Sequence, residues 1–373
     1  MRVALVCPYS LSVPGGVQGQ VLGLGRALRA SGHEVAVLAP VDGEADPAWD
    51  TVVALGRSVP VPANGSVARL AIGPQTAART VRALRQLTPE VLHLHEPLAP
   101  GPTWVAMARH EPKVGTFHRA GAVSGRALLA PLARVAAGRL AVRTAVSQQA
   151  RATAMALLGG DAEDYRIIGN GIELERFGRI EPWPTDGPTV LFVGRHEPRK
   201  GLAVLLEAFA RLDPQVAARL WVAGEGPQTA ELRRRFGAVA GVQWIGRIAD
   251  EELHRRLLGA QVLCAPSLGG ESFGVVLLEA MAARTVVVAS DIAGYGAVVG
   301  RHGLLVAPGD VTAWTGALRA VLADVDRGTG LASAASLEAA ARHAGQWPMA
   351  TVAERYLESY EEAVRIATRG TLH

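Results

Sequence analysis

The chain has 373 residues, of which 49% are hydrophobic, 19% charged and only 5% aromatic, and its formal net charge is +4. That length suggests two domains or one large one, with a core built mainly from Val, Leu, Ile and Ala. The modest basic excess, carried by arginine, suits a phosphate-bearing ligand or an anionic membrane, and without an aromatic-interleaved basic tract it speaks against nucleic acid. No apolar run approaches about 18 residues, so no bilayer span is expected. No signal-peptide pattern opens the chain: one Arg precedes a short apolar run broken by Pro8, which makes a cytoplasmic protein the default expectation. Cys7 and Cys264 each lie in an apolar, strand-like run and read as buried thiols in a reducing compartment.

From the N terminus, residues 2–7 read as a buried strand, followed by a turn-rich loop closed by Gly15 and Gly16 and a helix over 17–31. Paired glycines between a strand and a helix let a ligand approach the backbone. The loop is neither a P-loop, since no Lys-Ser/Thr follows, nor a G-x-G-x-x-G turn. Further strands are expected at 35–39, 51–55, 91–94, 114–117, 142–146 and 166–168, with a helix over 75–87. On that helix Arg79, Arg82 and Arg85 fall on one side and Val81, Leu84 and Leu87 on the other. Such a helix can lie on an anionic lipid surface, or it can be an ordinary sheet-covering helix with solvated arginines. His118, in GTFHRAG, follows a strand; it can serve a substrate oxygen or be structural.

The stretch 175–189, rich in Pro, Gly and charge, reads as a linker. Beyond it a second series of strands is expected at 189–193, 220–223, 242–245, 262–265, 285–289 and 304–307, with helices at 202–212, 251–258 and 275–283. In VGRHEPRKG, Arg195 and Lys200 flank a loop at a strand's carboxyl end, where two cations form a diphosphate clamp or are merely surface charges. In GGESFGVVLLEA, Glu271 sits in the loop before a helix that starts near Gly274, and Glu279 lies on that helix. A loop carboxylate beside free amides suits a polyhydroxyl ligand; the alternative is a helix-dipole carboxylate and a solvated one. After Trp347 and Pro348 comes a last helix, read as a cap on the second sheet or a crossover back to the first domain. No paired carboxylates at glycosidase spacing stand out, no Cys/His metal cluster appears and there is no obvious Asp-x-Asp metal-diphosphate motif, so no metal requirement is implied.

Two series of strand-helix alternation predict an α/β chain of two doubly wound domains. The expected division is 1–172 plus 350–373 against 173–349. Ligands of such sheets sit at the strands' carboxyl ends, and two such crevices can face each other across a cleft.

These motifs carry a resemblance that covers essentially the whole chain. The pair Glu271 and Glu279 with seven residues between them, GRHEPRKG at 194–201, and Asn170-Gly171-Ile172 together resemble a retaining GT-B glycosyltransferase of glycosyltransferase family 4. MRVALVCPYSLSVPGGVQ, PANGSVARL, VLHLHEP and APSLGGESFGVVLLEAMAA are similar to the phosphatidylinositol alpha-mannosyltransferases of actinobacteria.

The resemblance implies two Rossmann-like domains, an N-terminal acceptor and membrane domain with a crossover helix, and a C-terminal sugar-nucleotide domain. It implies α-mannose transfer, with retention, from GDP-mannose to the inositol of phosphatidylinositol, on the inner face of the membrane and with no other cofactor. Arg195 and Lys200 would hold the diphosphate, Glu279 the ribose, and Glu271 with the amides of Ser272, Phe273 and Gly274 the hexose. Ile248 would lie by the base, Gly16 by the donor phosphate, and His118 by the transferred sugar or acceptor. Tyr9, Asn64, Ser66 and Arg69 would surround the acceptor head, supported by Gln18, with Arg79, Arg82 and Arg85 on the anionic membrane.

The sequence departs from the family pattern at Arg119, at Ala63, broadly over 119–165, and in its spaced rather than clustered helix arginines, all on the acceptor and membrane side. Alternatives are a family-4 transferase using another nucleotide sugar or a soluble acceptor such as inositol phosphate, a sugar-nucleotide epimerase, and a non-catalytic sugar-nucleotide binder.

Overall fold

The computed structural model describes the chain apart from residues 45, 47–48, 64–65, 122–129, 214 and 371–373 and the side chains at 63, 66 and 370. It divides into unit 1, Met1–Gly171 with Met349–His373, and unit 2, Ile172–Pro348.

Unit 1 runs β1 (Arg2–Val6), α1 (Gly16–Ala30), β2 (Glu34–Ala39), β3 (Val52–Ala54), β4 (Val59–Ala63), β5 (Ser66–Leu70), α2 (Pro74–Leu87), β6 (Val91–His95), α3 (Pro102–Met107), β7 (Lys113–Phe117), α4 (Ala130–Ala137), β8 (Val142–Ala145), α5 (Gln148–Leu158) and β9 (Tyr165–Ile167). Its parallel sheet has the order β3-β2-β1-β6-β7-β8-β9. A strand covered on both faces must be apolar at every position. In β1, Val3 and Leu5 feed one core, continued by Cys7, while Ala4 and Val6 feed the other. The buried Cys7 thiol is pushed up to about 12 by desolvation.

The antiparallel ribbon β4–β5 has no counterpart in the sequence reading. Prolines at positions 60 and 62 argue against a strand, because each lacks an N–H. They share one parity, however, so both gaps in donation can fall on the outer edge of a two-stranded ribbon.

Unit 2 runs β10 (Thr189–Val193), α6 (Leu202–Ala210), β11 (Arg219–Ala223), α7 (Thr229–Phe236), β12 (Val242–Gly246), α8 (Asp250–Gly259), β13 (Val262–Ala265), α9 (Val275–Ala282), β14 (Val286–Ser290), α10 (Ala293–Val299), β15 (Leu304–Val306), α11 (Val311–Arg327) and α12 (Ala334–Ala344). The parallel order is β12-β11-β10-β13-β14-β15. Val190 and Phe192 of β10 pack one face and Leu191 the other. The helices of this unit are capped where the sequence supplies an oxygen: Asp310 accepts from the Ala313 amide and Ser333 from that of Ser336.

The last helix, α13 (Met349–Gly370), belongs to unit 1. Met349, Val352, Ala353, Tyr356, Tyr360 and Ala363 are buried in the same core as β1 and α1. Gly171 permits the return: a Cβ there would stand 2.8 Å from Met349 Cα.

Candidate active site

In an open parallel sheet, ligands bind where the strand order reverses, beyond the carboxyl ends of the strands. In unit 2 that point lies between β10 and β13. The loop after β10 carries Arg195, His196, Glu197, Arg199 and Lys200; the loop after β13 carries Ser267, Glu271 and Ser272. The two loops are fitted tightly together. The Leu268 amide donates to the Arg199 carbonyl at 2.7 Å. Gly201 has φ +67, and a Cβ there would stand 1.9 Å from the Pro266 carbonyl oxygen, so only glycine closes this join.

Glu271 is the hub. One carboxylate oxygen meets Arg199 Nη1 at 2.6 Å and Lys200 Nζ at 2.8 Å. Ser267 Oγ stands 3.4 Å from the same oxygen and bonds the Tyr295 hydroxyl at 2.9 Å. Burial works against the charge on Glu271, but Lys200 and Arg199 outweigh it and hold the carboxyl below its ordinary range. Beside it, Glu197 pairs with Arg195 at 3.2 Å and with Arg199 at 3.3 Å. Three cations thus face two carboxylates and leave net positive charge. Lys200 and the buried Lys113 are the chain's only lysines; every other permanent cation is an arginine or the amino terminus.

The sequence expected Arg195 and Lys200 to face a diphosphate. In the structure Arg195 is paired with Glu197, and Lys200 shares Glu271 with Arg199, a residue the sequence reading passed over. Its signal was present in the same octapeptide, where the one-turn helix Pro198–Lys200 presents two consecutive cations.

Ser272 and Phe273 lead into α9, whose N-cap Gly274 sits at φ +87. The Phe273 side chain is buried in the core, so only its backbone is available to a ligand. Glu279, on α9, contrasts with Glu271: burial and the nearby Asp250 push its carboxyl up to about 7, with Arg176 opposing. Ile248, between β12 and α8, packs half-buried against the same core.

In unit 1 the order reverses between β1 and β6. Gly16 opens α1, and a Cβ there would meet nothing within 4 Å, which leaves that face of the turn open. Gly15 is in ordinary extended backbone at φ −172. Gln18 donates from Nε2 to the carbonyls of Ser10 and Val13, at 3.2 and 3.0 Å, and so braces the loop after β1. Tyr9 bridges to Leu70, and the Ser10 amide bonds the Arg69 carbonyl, which ties this loop to β5. Arg69 itself meets Ser58 Oγ at 3.1 Å and Asp42 at 3.5 Å. Asn64 lies outside the described residues, as does the Ser66 side chain.

The sequence treats His118 as a lone imidazole, and the structure corrects this. His118 Nε2 stands 3.0 Å from His95 Nδ1, and its amide donates to Glu96 Oε1 at 2.6 Å. His93 lies against His95 with ring centroids 4.0 Å apart and the rings tilted by 34°. It bonds the Tyr360 hydroxyl at 2.8 Å and Thr116 Oγ1 at 2.6 Å. Desolvation holds all three histidines neutral, with His118 lowered to about 3. The alternation His93, Leu94, His95 in an apolar run was the available signal: period two puts both rings on one face of a buried strand.

A further constituent was not anticipated. Buried Gln20, on α1, clamps the Asn170-Gly171 turn, donating to the Gly171 carbonyl at 2.8 Å and accepting from its amide at 2.9 Å. On α2, Thr76, Thr80, Ala83 and Leu84 are buried while Arg79, Arg82 and Arg85 are exposed, an arrangement compatible with either reading of that helix. Among the described residues no group of three His, Cys, Asp or Glu is placed to hold a metal, and no helix is long and apolar enough to cross a membrane.

Comparison with known proteins adds to this geometry. The family described as Glycosyltransferase Family 4 matches residues 14–176, and Glycosyl transferases group 1 matches 187–324. The phosphatidyl-myo-inositol mannosyltransferase of Mycolicibacterium smegmatis is 41% identical, over 90% of this chain and 88% of its own. That of Mycobacterium leprae is 39% identical over 100% of this chain and 98% of its own. Among solved structures, a glycosyltransferase from Rickettsia africae shares the fold, with a TM-score of 0.73 at 17% identity over 97% of this chain and 98% of that one.

Proposed function

The chain belongs to glycosyltransferase family 4 and is a glycosyltransferase of the GT-B fold class, and from that premise we propose that it transfers α-mannose from GDP-mannose to the inositol ring of phosphatidylinositol, with retention. The observation that carries the donor side is the Glu271 carboxylate fixed between Arg199 and Lys200 just ahead of α9. Cations, a carboxylate and free helix amides in one place suit a diphosphate joined to a polyhydroxyl ring. The relatives at 39 and 41% identity support mannose and the inositol lipid.

In this reading unit 2 holds the donor. Arg195, Arg199 and Lys200 counter the diphosphate charge, Glu279 accepts from the ribose, Ile248 lies by the base, and Glu271 with the amides from Ser272 to Gly274 holds the mannose. Unit 1 holds the acceptor, with Gly16 and His118 nearest the reacting groups and Tyr9, Asn64, Ser66 and Arg69 around the inositol phosphate. The bond from the anomeric carbon to the diphosphate oxygen breaks, and the inositol oxygen bonds that carbon on the same face. The departing oxygen takes the hydroxyl proton. The cations stabilise the charge that develops on it. Arg79, Arg82 and Arg85 lie on the inner, anionic face of the membrane.

The test is to supply GDP-mannose with phosphatidylinositol vesicles, with soluble inositol phosphate, and alone, following GDP and mannosylated product. GDP with mannolipid only in the vesicle arm supports the proposal; turnover only with inositol phosphate replaces the acceptor; a new nucleotide sugar without acceptor means an epimerase. Replacing the three α2 arginines with alanine should weaken sedimentation with anionic vesicles by tenfold or more, at about 1 kcal/mol per arginine. Unchanged sedimentation returns α2 to a sheet-covering role.

A further inference from the structure

Unit 1 contains a small pocket lined by Gln20, His95, His118, Asn170, Met349 and Tyr356. His95 is 1% exposed, and its Nε2 is buried without a partner. Its other ring nitrogen, Nδ1, is the one that stands 3.0 Å from His118 Nε2. Everything around the pair restricts movement. The His93 ring packs, tilted, against His95 and is held by Tyr360 and Thr116. Glu96, the next residue, adopts φ +50, an unfavourable value for a side-chain-bearing residue, and from there accepts the His118 amide.

Two neutral imidazoles sharing one hydrogen bond have two arrangements. If His118 donates from Nε2, the proton of His95 must lie on its own Nε2, as a buried N–H with no acceptor. If His95 donates from Nδ1, its Nε2 is a bare acceptor, and His118 carries its proton on Nδ1. An orphaned buried N–H is the rarer and costlier state.

The geometry points to His95 as a positioning residue that donates from Nδ1 to His118 Nε2 and so fixes His118 as an Nδ1–H donor. This rests on the proposed contact of His118 with the transferred sugar or the acceptor. In that place His118 supplies a hydrogen to a substrate oxygen and does not take one, which makes it an electrostatic aid rather than a base.

Ring-nitrogen NMR on histidine-labelled protein without substrate tests the tautomer directly. The expected result is a proton on Nδ1 of both His95 and His118; a proton on His118 Nε2 overturns the proposal. A pair of variants tests the consequence. In His95→Asn the amide nitrogen can take the place of Nδ1, whereas in His95→Gln it extends toward Nε2. Turnover is expected within about threefold of the parent for His95→Asn and lower by about 10- to 100-fold for His95→Gln, with the donor KM unchanged in both. Equal rates in the two variants overturn the proposal. The NMR result needs no substrate, so a failure of the mannose-transfer reading leaves it standing or falling separately.

Discussion

At the end of β10, in unit 2, Arg195, Arg199 and Lys200 interlock with Glu197 and Glu271 in half-open loops. In unit 1, His93 and His95 on β6 and His118 just past β7 lie out of water among hydroxyl groups, and none carries charge. Each place adjoins the point where its sheet's strand order reverses, but the two are made of opposite materials. The first offers a field: fixed charges that act on an anion from several ångströms and can exchange partners when it arrives. The second offers direction: each hydrogen bond specifies one atom, and nothing is gained until an oxygen stands in the right place. A diphosphate is matched by the first and a hydroxyl group by the second.

The largest effect is expected from breaking the charged region. Glu271→Ala should lower turnover by about 10³-fold. GDP binding, measured by calorimetry, should hold or tighten, because Arg199 and Lys200 lose a competitor. Normal turnover would remove the role given to this carboxylate.

Glu279 sharpens the same region by pH. Its carboxyl titrates at about 7, so below that it carries a proton and accepts poorly from a ribose. GDP-mannose affinity should rise about fivefold or more between about pH 6 and pH 8, and the dependence should vanish in Glu279→Gln. Stability runs the other way. Because the folded carboxyl keeps its proton to higher pH than an unfolded one, its contribution is complete below the ordinary carboxylate pKa and is lost as pH rises through about 7. A flat affinity profile in the parent protein would take Glu279 out of donor binding.

The smallest effect tests the neutral region. Tyr360→Phe strands a buried nitrogen of His93 and should cost about 1–3 kcal/mol in urea unfolding, while GDP affinity stays constant. A change in GDP affinity would mean that the two regions are not independent.

The sheets were legible because parallel strands buried on both faces leave uninterrupted apolar runs, as at 190–192 and 286–289. Spacing singled out Glu271 and Glu279 as candidates, but their opposite ionisation could not be read from it, since it depends on Lys200 and Arg199 for one and on burial and Asp250 for the other. The β4–β5 ribbon was hidden by its prolines. The imidazole network was hidden by distance: His93 and Tyr360 are 267 positions apart, and no local pattern joins them.

The return of α13 to unit 1 also orders biosynthesis. Domains tend to fold as units while the chain is being made. Unit 2 is continuous in sequence, whereas unit 1 begins before it and needs a helix that follows it. On the ribosome, then, the second unit can mature before the first is complete. The Tyr360 hydroxyl that pairs with His93 becomes available only after unit 2 has been made. A nascent chain released short of α13 would retain its cationic loops but have no finished imidazole array.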